Sequence, residues 1–319
     1  MKIVVLDGYS LNPGDLSWQA IGALGDLRVY DRTPIDQVVN RLEGADLVFT
    51  NKTPISEETL KACPTIQWIG VLATGYNVVD VGAAKTRGIP VANIPSYGTQ
   101  NVAQFTLALI LEACHRIGHH NQAVKDLRWT RQDDFCFWDF EQVELDKKVL
   151  GLIGYGRIGQ KVASMAQAFG MVIRVFTPNP DKSLETDSLK FVDLETLYKE
   201  SDIISLHCPL QASSQGMIND LSISKMKDGV KIINTSRGPL VDEEDMSKAL
   251  ESGKVSVYAC DVVEVEPILE DNPLLKAPNC IISPHIAWAT KAARIRLMEA
   301  AEENIKAFLQ GRPIHVVND

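Results

Sequence analysis

The sequence predicts an α/β protein of two doubly wound parallel-sheet domains with a cleft between them. Three observations carry that expectation. Apolar runs of strand length alternate with stretches of helical period, and the alternation is gone through twice along the chain. Gly88, Pro90 and Pro95 punctuate the ends of the first set of runs. No low-complexity linker separates the two rounds, so the chain must pass between them in a helix or a tight crossover.

In the first round, strands are expected over residues 3–6, 27–30, 47–50, 67–71 and 91–93, with helical stretches between them. A helix is then expected to open at Asn101, which forms a capping-box pattern with Gln104 three residues on. The run that follows, VAQFTLALILEACHRI, is apolar almost all round and should be buried between domains or subunits. Residues 126–140 (DLRWTRQDDFCFWDF) lack a clear period and are rich in aromatics, which reads as a loop or arm covering a partner subunit. In the second round, strands are expected over 149–153, 172–176, 203–207, 231–235, 256–260 and 280–283, alternating with helices such as 158–169 and 243–251. A long helix over 290–309 follows, stopped by Gly311 and Pro313.

Composition bounds the function. The 319 residues are 45% hydrophobic and 23% charged, as in an ordinary soluble globular protein of two domains. A net charge of −9 argues against nonspecific binding to nucleic acid or an anionic membrane. No run approaches the roughly 20 apolar residues needed to span a bilayer. The apolar part of MKIVVLDGY is too short for a secretory leader. Cys63, Cys114, Cys136, Cys208, Cys260 and Cys280 are scattered without metal-ligand spacing, so no metal is expected and the thiols should stay reduced in a cytoplasm.

Function enters with VLGLIGYGRIGQKVA, in which Gly154, Gly156 and Gly159 have the spacing G-x-G-x-x-G. The spacing alone is weak, but here a strand-like run precedes it and a helix from Ile158 follows, the setting of a dinucleotide fingerprint in a Rossmann-like sheet. Gly154 would make the tight turn, Gly156 would admit a pyrophosphate, and Gly159 would let helix and strand pack closely. Backbone N–H groups at the helix start, from Arg157 and Ile158 onward, would bind the phosphates. An Asp or Glu is expected at the end of the next strand to hold the adenosine ribose. Thr177 stands there instead. A neutral Thr neither chelates the ribose hydroxyls nor repels a 2′-phosphate, so NAD and NADP both remain open; Lys182 is the nearest cation, with Asp181 beside it.

Three further segments follow expected strands of the second round: IINTSRGPL with Arg237, ACDVVEVEP with Asp261 and Glu266, and ISPHIAWAT with His285. Reducing a 2-keto acid needs a guanidinium to hold the carboxylate and polarise the carbonyl. It also needs an acid near neutral pH to protonate the emerging alkoxide, the natural task of His. A carboxylate on the other ring nitrogen orients that His and favours its charged form. Arg237, His285 and Glu266 supply one of each.

The order GYGRIG, HCPL, NTSRG, ACDVVEVEP, SPHIA resembles the D-isomer-specific 2-hydroxyacid dehydrogenase family over essentially the whole chain. The resemblance implies that Arg237 binds the substrate carboxylate and carbonyl, His285 is the acid/base and Glu266 its partner. It implies that Asp261 meets the nicotinamide carboxamide, and that His207, Pro209, Thr235 and Ser236 line the cofactor. It also implies a discontinuous, flavodoxin-like substrate-binding domain of residues 1–98 plus 287–319, an inserted NAD(P)-binding domain of residues 99–286, and a homodimer. TNKTPI, LATGYNVVD and HIAWAT are most similar to the glycerate dehydrogenase (hydroxypyruvate reductase) branch, which would place Lys52 and the backbone of Thr74 and Gly75 on the substrate. A phosphoglycerate dehydrogenase-like enzyme or a dinucleotide-sensing corepressor is the alternative. A formate dehydrogenase is disfavoured, since that enzyme carries Gln where this chain has Glu266.

Overall fold

Residues 1–319 are described by a computed structural model, in which the chain divides into two compact units. One comprises Met1–Gly98 and Ala289–Asp319, the other Thr99–Trp288.

In the first unit the strands are β1 (Lys2–Val5), β2 (Asp26–Val29), β3 (Leu47–Thr50), β4 (Trp68–Val71) and β5 (Val91–Ala92). All pair in parallel, in the order β2-β1-β3-β4-β5. Helices α1 (Gln19–Gly22), α2 (Val38–Leu42), α3 (Glu57–Ala62) and α4 (Val81–Thr86) lie between them in sequence. Local chemistry starts α3 and α4: the side chains of Ser56 and Asp80 accept the third backbone N–H of each helix. Strands β3 and β4 are buried along their whole length, as expected of a parallel sheet covered on both faces.

The second unit opens with α5 (Thr99–His115) and α6 (Ile117–Lys125). Then come β6 (Val149–Ile153), α7 (Arg157–Gln167), β7 (Val172–Phe176), β8 (Leu189–Phe191), α8 (Leu194–Glu200) and β9 (Ile203–Leu206). After these follow α9 (Asp220–Ser224), β10 (Val230–Asn234), α10 (Glu243–Glu251), β11 (Val255–Cys260) and β12 (Cys280–Ile282). The seven strands are parallel, in the order β12-β11-β10-β9-β6-β7-β8. Alternate residues feed two apolar layers: Leu150, Leu152 and Ile233 pack with α5 and α7, while Ile153, Ile204 and Ile232 pack with α8 and α10. The last helix, α11 (Lys291–Leu309), belongs to the first unit and is capped by Thr290.

Three expectations change. The helix expected to open at Asn101 begins two residues earlier, so Asn101 sits inside it and is buried. The apolar character of that helix is explained mainly within its own unit, because Ala103, Leu107, Ile110 and Cys114 pack into the sheet layer. It ends at Arg116, whose left-handed backbone (φ 52°) turns the chain into α6. The Arg116 guanidinium is buried against Asn279 (2.6 Å) and lies over the Phe140 ring.

The aromatic segment is an ordered arm with a short 3-10 turn at Trp129–Arg131. One carboxylate clips it to the helices before it. Asp139 accepts from Arg128 Nη1 and His119 Nε2, both at 2.6 Å. These partners, Arg128 foremost, hold the Asp139 carboxyl at about 2. A depressed value keeps the clip formed above that pH, and it is lost only as pH falls through about 2. No helix is long and apolar enough to cross a membrane, and all six cysteines are free thiols.

Candidate active site

In a parallel α/β sheet, ligands gather at the C-terminal ends of the strands near the point where strand order reverses. Here β6 lies between β7 and β9, which makes that point. The loop after β6 carries the three glycines. Gly154 adopts φ +102°, and a Cβ on it would lie 2.5 Å from the His207 carbonyl carbon. A Cβ on Gly159 would lie 2.5 Å from the Gly154 carbonyl oxygen, so the turn and α7 touch backbone to backbone. Gly156 differs, because a Cβ there would meet nothing within 4 Å. It caps α7, and no side chain covers that helix's first N–H groups, whereas Asp193, Asp242 and Thr290 cap α8, α10 and α11. Open space at Gly156, before the start of α7, fits a bound diphosphate. Thr177 follows the last residue of β7, and the Gly154 N–H bonds to the Phe176 carbonyl at 2.9 Å.

His207 follows β9 and Pro209 comes two residues later. His207 Nε2 is 2.9 Å from Ser205 Oγ, and burial pushes the ring down to about 4. It is neutral at physiological pH and is no proton donor there. After β10, buried Asn234 organises the next turn: its Oδ1 accepts the Ser236 N–H (3.0 Å) and its amide donates to the Arg237 carbonyl (2.9 Å). Ser236 Oγ donates to the Cys208 carbonyl at 2.6 Å, joining this turn to the one after β9. The Arg237 side chain is exposed, with Nη1 donating to the Ser236 carbonyl at 2.7 Å.

Asp261 follows β11 and is 1% exposed. Its Oδ1 accepts from Ser283 Oγ (2.6 Å) and the Ile286 N–H (2.9 Å), and its Oδ2 from the Ala287 N–H (2.7 Å). A carboxylate has about four acceptor sites. Asp261 therefore spends three on the turn that carries His285 and keeps one for a ligand donor. His285 needs that support, because its backbone is left-handed (φ 53°), a conformation that costs a non-glycine residue roughly 1 kcal/mol or more. Its Nδ1 lies 2.6 Å from Glu266 Oε2. Trp288 Nε1 donates to the His285 carbonyl at 2.9 Å.

The turns bearing Arg237, Asp261 and His285 thus follow three neighbouring strands, β10, β11 and β12, at one edge of the sheet. Lys52 follows β3, while Thr74 and Gly75 follow β4, its neighbour in the first unit's sheet. The carboxylate of Asp7 shapes the Lys52 loop, accepting the N–H groups of Asn51, Lys52 and Thr53 at 2.7, 2.5 and 2.7 Å. Thr74 Oγ donates to the Ile94 carbonyl at 2.8 Å. Sequence reading missed Asp7, Asn234 and Ser283. Each is an ordinary polar residue near a strand end, and only the fold shows which backbone groups it holds.

Comparison with known proteins identifies the family. The family described as "D-isomer specific 2-hydroxyacid dehydrogenase, NAD binding domain" matches residues 107–287. A hydroxypyruvate reductase of Blautia hydrogenotrophica is 54% identical over the full length of both chains. The structure of a D-lactate dehydrogenase of Aquifex aeolicus, complexed with NAD and lactic acid, is 32% identical with a TM-score of 0.82, over 98% of this chain and 96% of that one. An acyclic imino acid reductase in complex with NADPH and D-Arg is 30% identical with a TM-score of 0.85, over 99% of this chain and 100% of that one. A fingerprint loop built for a dinucleotide, an Arg turn, a Glu-paired His and a full-length relative at 54% identity lead to one conclusion: the chain is an NAD(P)-dependent oxidoreductase and belongs to the D-isomer-specific 2-hydroxyacid dehydrogenase family.

Proposed function

We propose that the enzyme reduces hydroxypyruvate to D-glycerate, and glyoxylate to glycolate, with NADH or NADPH. The observation that carries the chemistry is the 2.6 Å contact of His285 Nδ1 with Glu266, beside the turn that presents Arg237. The full-length hydroxypyruvate reductase relative supports the substrate. When bound, the nicotinamide supplies the hydride to C2. Arg237 holds the substrate carboxylate through its fork of donors and polarises the C2 carbonyl. With Nδ1 donating to Glu266, Nε2 of His285 carries the proton that the C2 oxygen takes as it becomes an alkoxide. Glu266 stabilises the imidazolium before transfer, and oxidation of the hydroxy acid runs the same proton in reverse. Lys52 and the N–H groups of Thr74 and Gly75 are assigned to the substrate. Arg157, Ile158, Thr177, His207, Pro209, Thr235, Ser236 and Asp261 hold the cofactor. A spectrophotometric screen of keto acids with both cofactors tests this reading. Hydroxypyruvate should give the highest kcat/KM. A tenfold or greater preference for phosphohydroxypyruvate would favour a phosphoglycerate dehydrogenase-like role and overturn the substrate.

Cofactor choice should respond at Thr177. Thr177→Asp adds a ribose acceptor and a charge that repels a 2′-phosphate, so kcat/KM with NADPH should fall by about tenfold or more relative to NADH. An unchanged ratio of the two would show that the end of β7 does not face the adenosine ribose.

The proposed assembly is a homodimer. Phe135 (88% exposed) and Trp138 (67%) stand out from the arm, and Ile117 (63%) from the start of α6. Covering each large side chain in a partner would contribute about 2 kcal/mol. Light scattering at micromolar concentration should give twice the 35.2 kDa chain mass. A fully active monomer would sink this assembly.

A further inference from the structure

Helix α5 opens the second unit, and two of its buried polar side chains reach the turns on which the proposed chemistry rests. Asn101 donates its side-chain amide to the Ala287 carbonyl, two residues past His285. That residue's N–H is taken by Asp261, so the end of the His285 turn is held from both sides. Farther along α5, Thr106 is fully buried. Its Oγ lies 2.8 Å from the Val102 carbonyl and 2.9 Å from Thr235 Oγ.

The Thr106 contacts favour one polarity. A hydroxyl carries one proton, and a carbonyl can only accept. With the Thr106 proton on the Val102 carbonyl, as the 2.8 Å contact places it, Thr235 is the donor in the contact between the two threonines. Thr235 is left with lone pairs alone, so toward a ligand it is an acceptor. A packing role does not account for Thr106, since Val has the same shape and would bury no hydroxyl. Back-bonding of Thr to the carbonyl four residues earlier gives a helix nothing by itself.

We infer that Asn101 and Thr106 are positioning residues: Thr106 turns Thr235 into an acceptor for a hydrogen-bond donor of the bound dinucleotide, and Asn101 holds the turn that aims His285. The inference rests on the proposed placement of Thr235 at the cofactor and of His285 at the reacting oxygen. On a bound nicotinamide nucleotide, the donors available are a ribose hydroxyl and the carboxamide N–H.

The test uses near-isosteric variants of the full chain and the fluorescence of bound NADH. Loss of one hydrogen bond corresponds to about a fivefold change in affinity. Thr106→Val should raise the NADH Kd by about that factor. Thr106→Ser, which keeps the hydroxyl, should bind as the parent does. Thr235→Val should show the same rise, and the double variant should add nothing to it. If Thr235→Val weakens binding and Thr106→Val does not, the inference fails while the placement of Thr235 stands. If neither weakens binding, that placement falls and takes the inference with it. Should Thr106→Val fail to fold, Thr106→Ala with Thr106→Ser as its control makes the same comparison. Asn101→Leu, or Asn101→Ser if that variant does not fold, should leave the NADH Kd unchanged, lower kcat for reduction about tenfold and move its alkaline limb. A parent-like kcat with an unmoved limb would overturn the role of Asn101.

Discussion

His285→Asn should lower kcat for keto-acid reduction by about 10²–10⁴-fold at every pH, the span that a positioned general acid contributes. Asn keeps a polar side chain on the same turn but has no proton to give near neutrality. His207 does not compensate, because burial holds it at about 4 and its ring contacts Ser205. The backbone should tolerate the change, since Asn accepts the left-handed conformation (φ 53°) that His285 already occupies. NADH affinity should therefore stay near the parent value while turnover collapses. Steady-state rates from pH 5 to 9, with a cofactor-binding titration beside them, read both quantities. A variant that keeps a tenth of parental kcat would remove His285 as the acid.

Arg237→Lys should be nearly as damaging, with kcat/KM for the keto acid lower by about 10²–10³-fold. The ammonium is a point charge that cannot span a carboxylate and a carbonyl oxygen together. Both ground-state binding and polarisation of C2 are lost, so KM should rise and kcat should fall. The turn itself should survive, because Asn234 grips the Arg237 carbonyl and the Ser236 N–H, not the Arg side chain. A Lys variant within tenfold of the parent would show that carboxylate recognition lies elsewhere, with Lys52 the first residue to examine.

These residues were legible in the sequence because each sits directly after a β-strand, where period-2 apolar runs give way to Gly, Pro or polar residues. The runs before Arg237, Asp261 and His285 are β10, β11 and β12, displaced by a residue at most from the expected ranges. Parallel pairing of the three then brings their ends side by side. Elements without a strong period were not legible. Strand β8 has three residues, too few to show alternation, and was absent from the expected set. The break between α5 and α6 falls at Arg116, and nothing in its neighbours marks a left-handed residue. Long-range polar contacts were the least visible. Asp7 lies 44 residues before Asn51, and Thr106 lies 129 before Thr235, so no local pattern joins them.

The claim at the centre is that His285, paired with Glu266, moves the proton that accompanies hydride transfer. The pH dependence of Glu266→Gln in both reaction directions tests it most directly. Gln preserves the shape and the hydrogen bond at His285 Nδ1 but removes the negative charge that favours the imidazolium. Keto-acid reduction, which needs the protonated ring, should lose activity at a lower pH than in the parent. Hydroxy-acid oxidation, which needs the neutral ring, should persist to a pH lower by a similar amount. His207 adds no limb in this window, being held at about 4. With chemistry made rate-limiting in single-turnover experiments, both limbs should move together toward acid. Two limbs that stay where they are in the parent would contradict the account.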